Sequence, residues 1–173
     1  MPRKFFQRFL PSPQTIKENK MLHIFGDWLH DPDLWHLNRR SVAGAFAVGL
    51  FCAWMPIPFQ MVLSAGAAIL FRANLPLSIV LVWITNPFTI PPMFYFAYLV
   101  GTWIVGAPEA HFAFELTFDW LMNELSGIWL PFLVGCLTVA SVSAMLGYTF
   151  ITGIWRYSVV NRRAAGRKPV IKK

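Results

Sequence analysis

Charged residues are scarce in this sequence and absent from long parts of it. Asp, Glu, Lys and Arg make up 13% of the 173 residues, about half the share found in average soluble domains. None occurs in three runs, Ser41–Phe71, Ala73–Pro108 and Leu125–Trp155. Each run exceeds the roughly 20 apolar residues that cross a bilayer as a helix. A soluble fold of this composition would have too little polar surface to cover its core, so we predict an all-α integral membrane protein.

The residue patterns that most enzyme and metal sites require are also missing. Only two cysteines occur, Cys52 and Cys136, and no disulfide framework or zinc spacing follows from them. His30 and His36 are spaced unlike a tight helical ligand pair. No glycine-rich phosphate loop, nucleophile elbow or HExxH motif is present. We therefore predict no enzymatic activity, no metal and no cofactor. The N-terminal apolar stretch is broken by Arg8, Pro11 and Pro13 and no small-residue cleavage site follows, so we also predict no cleavable signal peptide.

The basic residues flank the uncharged runs. The net charge is +7, yet every Lys and Arg except Arg72 lies before residue 41 or after residue 155. Residues 109–124 carry four acids and neither Lys nor Arg. By the positive-inside rule, both termini are predicted to be cytoplasmic and residues 109–124 to lie on the outer side. The expected partners of the basic flanks are anionic lipid head groups and not nucleic acid.

These charge boundaries divide the chain. Amphipathic stretches within residues 1–40 predict cytoplasmic or interfacial helices. The predicted membrane domain covers residues 41–155, with an outer interfacial helix over 109–124 and a conventional transmembrane helix over 127–155. Residues 156–173 form a predicted basic cytoplasmic tail.

Prolines interrupt the first two uncharged runs, at Pro56, Pro58, Pro87, Pro91 and Pro92. Proline breaks a helix, and the apolar pieces on either side are too short to cross a bilayer. Each run is therefore a re-entrant hairpin or a broken span. With a cytoplasmic N-terminus and residues 109–124 on the outer side, the chain must cross the membrane an odd number of times before residue 109. Arg72, between the two runs, favours a cytoplasmic position for their junction, so we predict a hairpin over 41–71 and a broken span over 73–106.

The two breaks resemble each other in sequence. "WMPIPF" from Trp54 and "WITNPF" from Trp83 share Trp, Pro and Phe at the same spacing, as expected for paired, proline-broken helices. Unwound chain in hydrocarbon needs polar partners, and the side chains available near the breaks are Gln60, Thr85, Asn86 and Thr89. Two interpretations stay open: these side chains join the broken helices, or they line a polar site for a ligand.

Three arginines are candidates for contacts with an anion or a lipid head group. Arg39 and Arg40 precede the first run, and Arg72 separates it from the second. Charge in the bilayer centre is expensive, so these side chains are predicted to lie at an interface. There an arginine either anchors the topology or binds a phosphate or carboxylate.

Small residues recur at every fourth position in three places. These are Ala45, Gly49 and Ala53, then Ala97 and Gly101, then Ser143 and Gly147. Such stripes allow helices to approach closely, so they predict intramolecular packing and leave homo-oligomerisation open.

Four short motifs follow one another between His36 and Pro92: "HLNRRSVA", "PIPFQM", "ANLP" and "NPFTIPP". In combination they resemble the bacterial membrane family called domain of unknown function 2062, most strongly over residues 28–106. The resemblance implies an inner-membrane protein of Gram-negative-type bacteria, whose relatives are at times joined to glycosyltransferase-like domains. It implies no known reaction and no catalytic residues.

Two functional hypotheses follow. In the first, the chain transports or flips a small anionic solute, lipid or lipid-linked envelope precursor through a site between the proline breaks. In the second, it is a non-catalytic membrane scaffold or assembly partner in cell-envelope biogenesis, docking through residues 1–30. A stoichiometric protein partner that is lost on removing those residues would favour the scaffold.

Overall fold

The computed structural model describes Leu22, residues 32–106 and residues 125–165. Regular structure in these residues is entirely helical, which confirms the predicted all-helical class for this part of the chain. A short 3-10 helix, Pro32–Trp35, precedes five α-helices: α1 Arg39–Ala53, α2 Gln60–Leu70, α3 Leu75–Val82, α4 Ile90–Val105 and α5 Leu125–Ala165. The interfacial helices predicted before residue 32 and over 109–124 lie outside the described residues.

Asparagine side chains start two of the helices. The side-chain oxygen of Asn38 accepts a hydrogen bond of 2.8 Å from the backbone N–H of Ser41 at the start of α1. That of Asn74 accepts one of 3.1 Å from the N–H of Leu77 at the start of α3. Each satisfies a donor that the first helical turn leaves unpaired. Pro76 lies in the first turn of α3, where its missing N–H removes no helical hydrogen bond.

Residues in the left-handed conformation flank α2 at both ends. Phe59 precedes the helix with φ 66°, and Arg72 follows it with φ 49°. After α2, the N–H of Ala73 donates to the carbonyl of Ala68 at 2.8 Å and that of Arg72 to Ile69 at 3.2 Å. These are the paired bonds of a Schellman motif, whose left-handed position is usually glycine. A non-glycine residue there costs about 1–2 kcal/mol.

Hydrogen bonds at two ends fix the directions of the first three helices. The N–H of Asn74 donates to the carbonyl of Ser41 at 3.1 Å, so the starts of α1 and α3 adjoin. At the opposite end, the Gln60 side chain bonds to the carbonyl of Met55 and to the Thr85 hydroxyl, so the end of α1, the start of α2 and the end of α3 adjoin. Helices α1 and α3 therefore run parallel and pack on each other, and α2 runs antiparallel to both and packs on each of them.

Helix α3 is the most enclosed of the five. Its residues from Leu75 to Ile79 are all buried, between α1, α2 and the 3-10 helix. Gly49 of α1 allows the close approach on one side, because a Cβ there would lie 2.6 Å from the Cβ of Leu81. The buried cluster joins these helices to Leu22, Leu34 and, from α5, Ile151.

Helices α4 and α5 touch backbone to backbone. A Cβ added at Gly101 would lie 1.7 Å from the carbonyl oxygen of Pro131, and one added at Gly135 would lie 1.8 Å from that of Ala97. No side chain fits at either glycine without separating the helices. The order of these contacts shows that α4 and α5 are antiparallel.

Helix α1 packs on a different part of α5. Gly147 meets Leu50 of α1, where a Cβ would lie 2.6 Å from the leucine side chain. Four residues later, the ring of Trp54 lies 6.4 Å from that of Phe96, next to the contact of Ala97 with Gly135. Helix α1 is therefore also antiparallel to α5, and α1 and α4 lie end to end along it.

Helix α5 has 41 residues, or about 60 Å of length. It is the one helix among the described residues that is long and apolar enough to cross a membrane, over Trp129–Val159. Only 28% of the residues in its most apolar part are buried, so most of its apolar side chains face outward. It continues to Ala165, past the predicted boundary at 155, because no Gly or Pro that would end it occurs between Gly153 and Gly166.

The contact of Gly135 with α4 predicts that Gly135→Ala destabilises the protein. The new methyl group must push α4 and α5 apart, and such overpacking costs about 1–3 kcal/mol. Thermal unfolding of the detergent-solubilised protein, followed by tryptophan fluorescence, should show a lower midpoint. Gly153→Ala on the same helix is the matched control, because no atom lies within 4 Å of its added Cβ. Equal midpoints for the two variants would contradict the packing.

Candidate functional site

The first break, Met55–Phe59, reverses the chain between α1 and α2. Pro56 and Pro58 have no N–H, so the backbone there offers few donors. The carbonyl of Met55 nevertheless has two, the N–H of Ile57 at 2.8 Å and the side-chain amide of Gln60. Gln60, the first residue of α2, thus stabilises the turn that precedes its own helix.

The second break is a helix start. The side-chain oxygen of Asn86 accepts from the N–H of Phe88 at 3.0 Å and from that of Thr89 at 3.1 Å. In return, the Thr89 hydroxyl accepts from the N–H of Asn86 at 2.9 Å. This reciprocal pair has the hydrogen-bond pattern of a capping box, formed in the turn Asn86–Thr89 that leads into α4. Pro87 lies in this turn, and Pro91 and Pro92 fall in the first turn of α4, where their missing donors remove little.

One hydrogen bond joins the two breaks across 25 residues. The Thr85 hydroxyl donates to the side-chain oxygen of Gln60 at 3.0 Å and also lies 2.6 Å from the carbonyl of Val82. The Thr89 hydroxyl donates to the carbonyl of Ile84. The structure thus brings Gln60 to Thr85 and Asn86 to Thr89, and all four side chains of the predicted polar site bond to the protein itself.

Both breaks lie beside the middle of α5. Gly147 of α5 meets α1 and Gly135 meets α4, and these two glycines are about 18 Å apart along the helix. The breaks fall between these levels, near the centre of the apolar stretch Trp129–Val159. Large apolar side chains around them are exposed, including Phe88 at 91% and Trp83 at 61%. The unwound chain therefore combines an apolar exterior with internally paired polar groups.

Three arginines lie together at the other end of the three-helix unit. Arg39 and Arg40 occupy the first turn of α1, and Arg72 lies in the turn before α3. The bond from Asn74 to Ser41 holds these two places side by side. All three side chains are exposed. We call these arginines the basic end. The positive ends of the α1 and α3 dipoles add to their charge. Arg156, also exposed, lies at a similar level on α5.

Comparison with protein families identifies the chain. A family model described as an uncharacterized protein conserved in bacteria, DUF2062, matches residues 22–164. The chain belongs to the DUF2062 family. The match extends beyond the motifs at 36–92 and includes nearly all of α5. No curated protein and no solved structure matches the chain.

Buried polar atoms in this DUF2062 protein mark a place that no sequence pattern indicates. Ser41 is 3% exposed and Asn74 is fully buried. The Ser41 hydroxyl and the Asn74 side-chain NH₂ have no hydrogen-bond partner among the described residues. Leaving such a group unpaired costs about 1–3 kcal/mol. Asn74 was detectable as a helix cap because Pro76 follows it, but nothing in the sequence marks Ser41 as buried beside it.

The Ser64 hydroxyl is the third buried side-chain atom without a hydrogen-bond partner in the described residues. It lies beside the Cys52 thiol near the end of α1, away from the basic end. Cys52 and Cys136 are both buried free thiols. No group of three or more His, Cys, Asp or Glu residues in the described part of the chain is arranged to hold a metal ion.

The bond between Gln60 and Thr85 predicts energetic coupling between the breaks. In a double-mutant cycle with Gln60→Leu and Thr85→Val, we expect a coupling free energy of about 1 kcal/mol. Reversible unfolding in mixed detergent micelles gives the four free energies. Thr149→Val is the matched control, because that exposed hydroxyl bonds only within α5. Strictly additive losses at Gln60 and Thr85 would show that the two breaks are independent.

Proposed function

We propose that this DUF2062 protein is a multi-pass protein of the bacterial inner membrane. Helix α5 supports the proposal by its length and by the outward direction of most of its apolar side chains. A core helix of a soluble protein would be mostly buried. The exposed aromatic rings on the shorter helices, such as Trp103 at 85%, also suit contact with lipid better than contact with water.

In the proposed topology, α5 crosses the membrane and α3 with α4 forms the broken crossing. Helices α1 and α2 form a re-entrant hairpin that enters and leaves at the basic end. The internal pairing of both breaks supports their placement in the membrane, since unpaired backbone groups in hydrocarbon cost several kcal/mol each. The basic end and both chain termini lie on the cytoplasmic side in this arrangement, as the positive-inside rule requires.

The function that this geometry supports best is the binding and flipping of an anionic lipid or lipid-linked envelope precursor. The observation that carries it is the basic end, three exposed arginines at one end of a helix bundle whose sides are apolar. Arginine binds phosphate and carboxylate groups in a fixed, forked geometry. The lipid head group would bind here, and opening of the Gln60–Thr85 bond would free polar side chains along its path.

The second hypothesis, a membrane scaffold, depends on docking through residues 1–30. Apart from Leu22, these residues lie outside the described part of the chain. The described contacts offer no observation that favours the scaffold over lipid binding.

The topology is testable with single cysteines in a Cys52→Ala, Cys136→Ala background. A membrane-impermeant maleimide added to intact cells with a permeabilised outer membrane should label Val105→Cys, at the outer end of α4. It should label Arg72→Cys only after the inner membrane is opened. Ile57→Cys, at the tip of the hairpin, should stay unlabelled on intact cells. Labelling of Ile57→Cys from outside would mean that α1 and α2 cross completely, and labelling of Arg72→Cys would reverse the orientation.

Flipping is testable in liposomes that contain phosphatidylglycerol with a fluorescent head group. The purified protein should increase the fraction of fluorescence that an impermeant reductant destroys, because inner-leaflet lipid reaches the outside. Combined Arg39→Ala, Arg40→Ala and Arg72→Ala substitutions should abolish most of this increase by removing the head-group contacts. Arg156→Ala removes one charge from α5 and is the control that should retain activity. If the reductant destroyed the same fraction of fluorescence in protein-free liposomes, the proposed flipping function would be refuted.

A further inference from the structure

We propose that the basic end holds a built site for a phosphate monoester carried by a lipid, in which Ser41 and Asn74 act together with Arg72. The inference rests on the proposed function, in that it names the chemical group recognised by the same end of the protein. It depends on the two buried groups without hydrogen-bond partners, the Ser41 hydroxyl and the Asn74 side-chain NH₂. A head-group contact made by the arginines alone would leave these two groups unexplained.

The buried groups lie where an anion would be most stable. Ser41 is in the first turn of α1, and the Asn74 side chain caps the first turn of α3. The starts of these parallel helices adjoin through the bond from Asn74 to Ser41. Two positive dipole ends therefore face the same region, and helix starts of this kind bind phosphate and other anions.

The chemistry of the two side chains fits phosphate oxygens. The Asn74 side-chain oxygen already accepts from Leu77, so only its NH₂ is left, and that group can only donate. The Ser41 hydroxyl can also donate. Two donors without acceptors in the described residues, at adjoining helix starts, favour an acceptor with several oxygens. A phosphate supplies these and would also be held by the arginine charges.

In the proposed site, an outward movement of the turn at Arg72 would give access to these groups. In this conformation neither unpartnered atom is accessible, so the turn between α2 and α3 must move outward to admit an oxygen. Arg72 holds that turn in a left-handed conformation that glycine would adopt without strain. Strain at a non-glycine residue is often retained where the side chain has a function. Here the arginine would pair with the phosphate while its turn uncovers the buried donors.

A phosphomonoester fits better than a phosphodiester for two reasons. It presents three unesterified oxygens to the donors and carries more negative charge toward the three arginines. A lipid is the favoured source because the surrounding helix faces are apolar and exposed, so the site opens next to the bilayer in the proposed topology. Inorganic phosphate would accept hydrogen bonds from the same donors, so the experiment must distinguish free phosphate from a lipid phosphomonoester.

The test uses the full chain in detergent, titrated with phosphatidic acid, phosphatidylglycerol or inorganic phosphate while tryptophan fluorescence is recorded. We expect phosphatidic acid to bind at least tenfold more tightly than phosphatidylglycerol. Ser41→Ala and Asn74→Ser should each weaken phosphatidic acid binding about tenfold. Serine still offers an oxygen that can cap α3, and it lacks the side-chain NH₂ that the proposed site uses. Inorganic phosphate binding as tightly as phosphatidic acid would overturn the lipid assignment.

The melting temperature without lipid separates binding from folding. Ser41→Ala removes an unpaired buried hydroxyl, so it should leave that temperature unchanged or raise it while binding weakens. Arg72→Gly should behave in the same way, because it relieves backbone strain and removes the guanidinium. Ser64→Ala is the matched control, because it removes a buried hydroxyl that lies beside Cys52 and away from the basic end, and it should leave lipid binding unchanged.

Failure of this site and failure of the proposed function are distinguishable. If Ser41→Ala and Asn74→Ser bind phosphatidic acid as the unaltered protein does, the site is refuted, even if flipping in liposomes persists. If the unaltered protein flips no lipid but binds phosphatidic acid with the expected sensitivity to both variants, the site stands and the flipping function is refuted.

Discussion

Backbone carbonyl groups at the end of a helix need hydrogen-bond donors from outside the helix. The arrangement of this protein depends on which groups donate to these carbonyls at its two proline breaks. The prolines remove N–H groups where α1 and α3 end, and the exposed surroundings are apolar. Three side chains donate to backbone carbonyls at the breaks: Gln60 to Met55, Thr85 to Val82 and Thr89 to Ile84. The Asn86 side-chain oxygen instead accepts from backbone N–H groups of the second break. The Thr85 hydroxyl also lies within hydrogen-bond distance of the Gln60 side-chain oxygen, across the two breaks. Because Gln60 and Thr85 belong to different breaks, neither turn is closed independently of the other. The positions of α2 and α4 are thereby linked.

Helix α5 organises the remainder through backbone contacts. Glycines at 101 and 135 bring α4 against it, and Gly147 receives a leucine of α1. These contacts are dispersion interactions at short range, which operate equally in water and in lipid. The breaks are consequently held at one level of α5 by packing above and below them. The hydrogen bonds join the two breaks to each other, and the glycine contacts on either side fix the level of the breaks along α5.

Periodic features were accessible from the sequence, and features that depend on spatial neighbours were not. The absence of charge predicted the helical class, and the prolines predicted where helices stop. The pair Ala97 and Gly101 was identified as a packing stripe, but its partners Pro131 and Gly135 could not be, since no local pattern specifies which helix faces which. The four polar residues at the breaks were found, whereas their pairing required the fold. Ser41 escaped notice because its burial is created by a turn 30 residues away.

The end-to-end placement of α1 and α4 makes the two halves of the described bundle unequal in cross-section. Near the basic end, α1 packs on α5 and carries α2 and α3 on its other sides, whereas past the breaks α4 is the one described helix that packs on α5. With helices about 10 Å across, the first half occupies roughly twice the area of the second. In a bilayer oriented as proposed, the described helices would displace more lipid from the cytoplasmic leaflet than from the outer one. Such a wedge would be sensitive to lateral pressure and would itself favour membrane curved toward the cytoplasmic side.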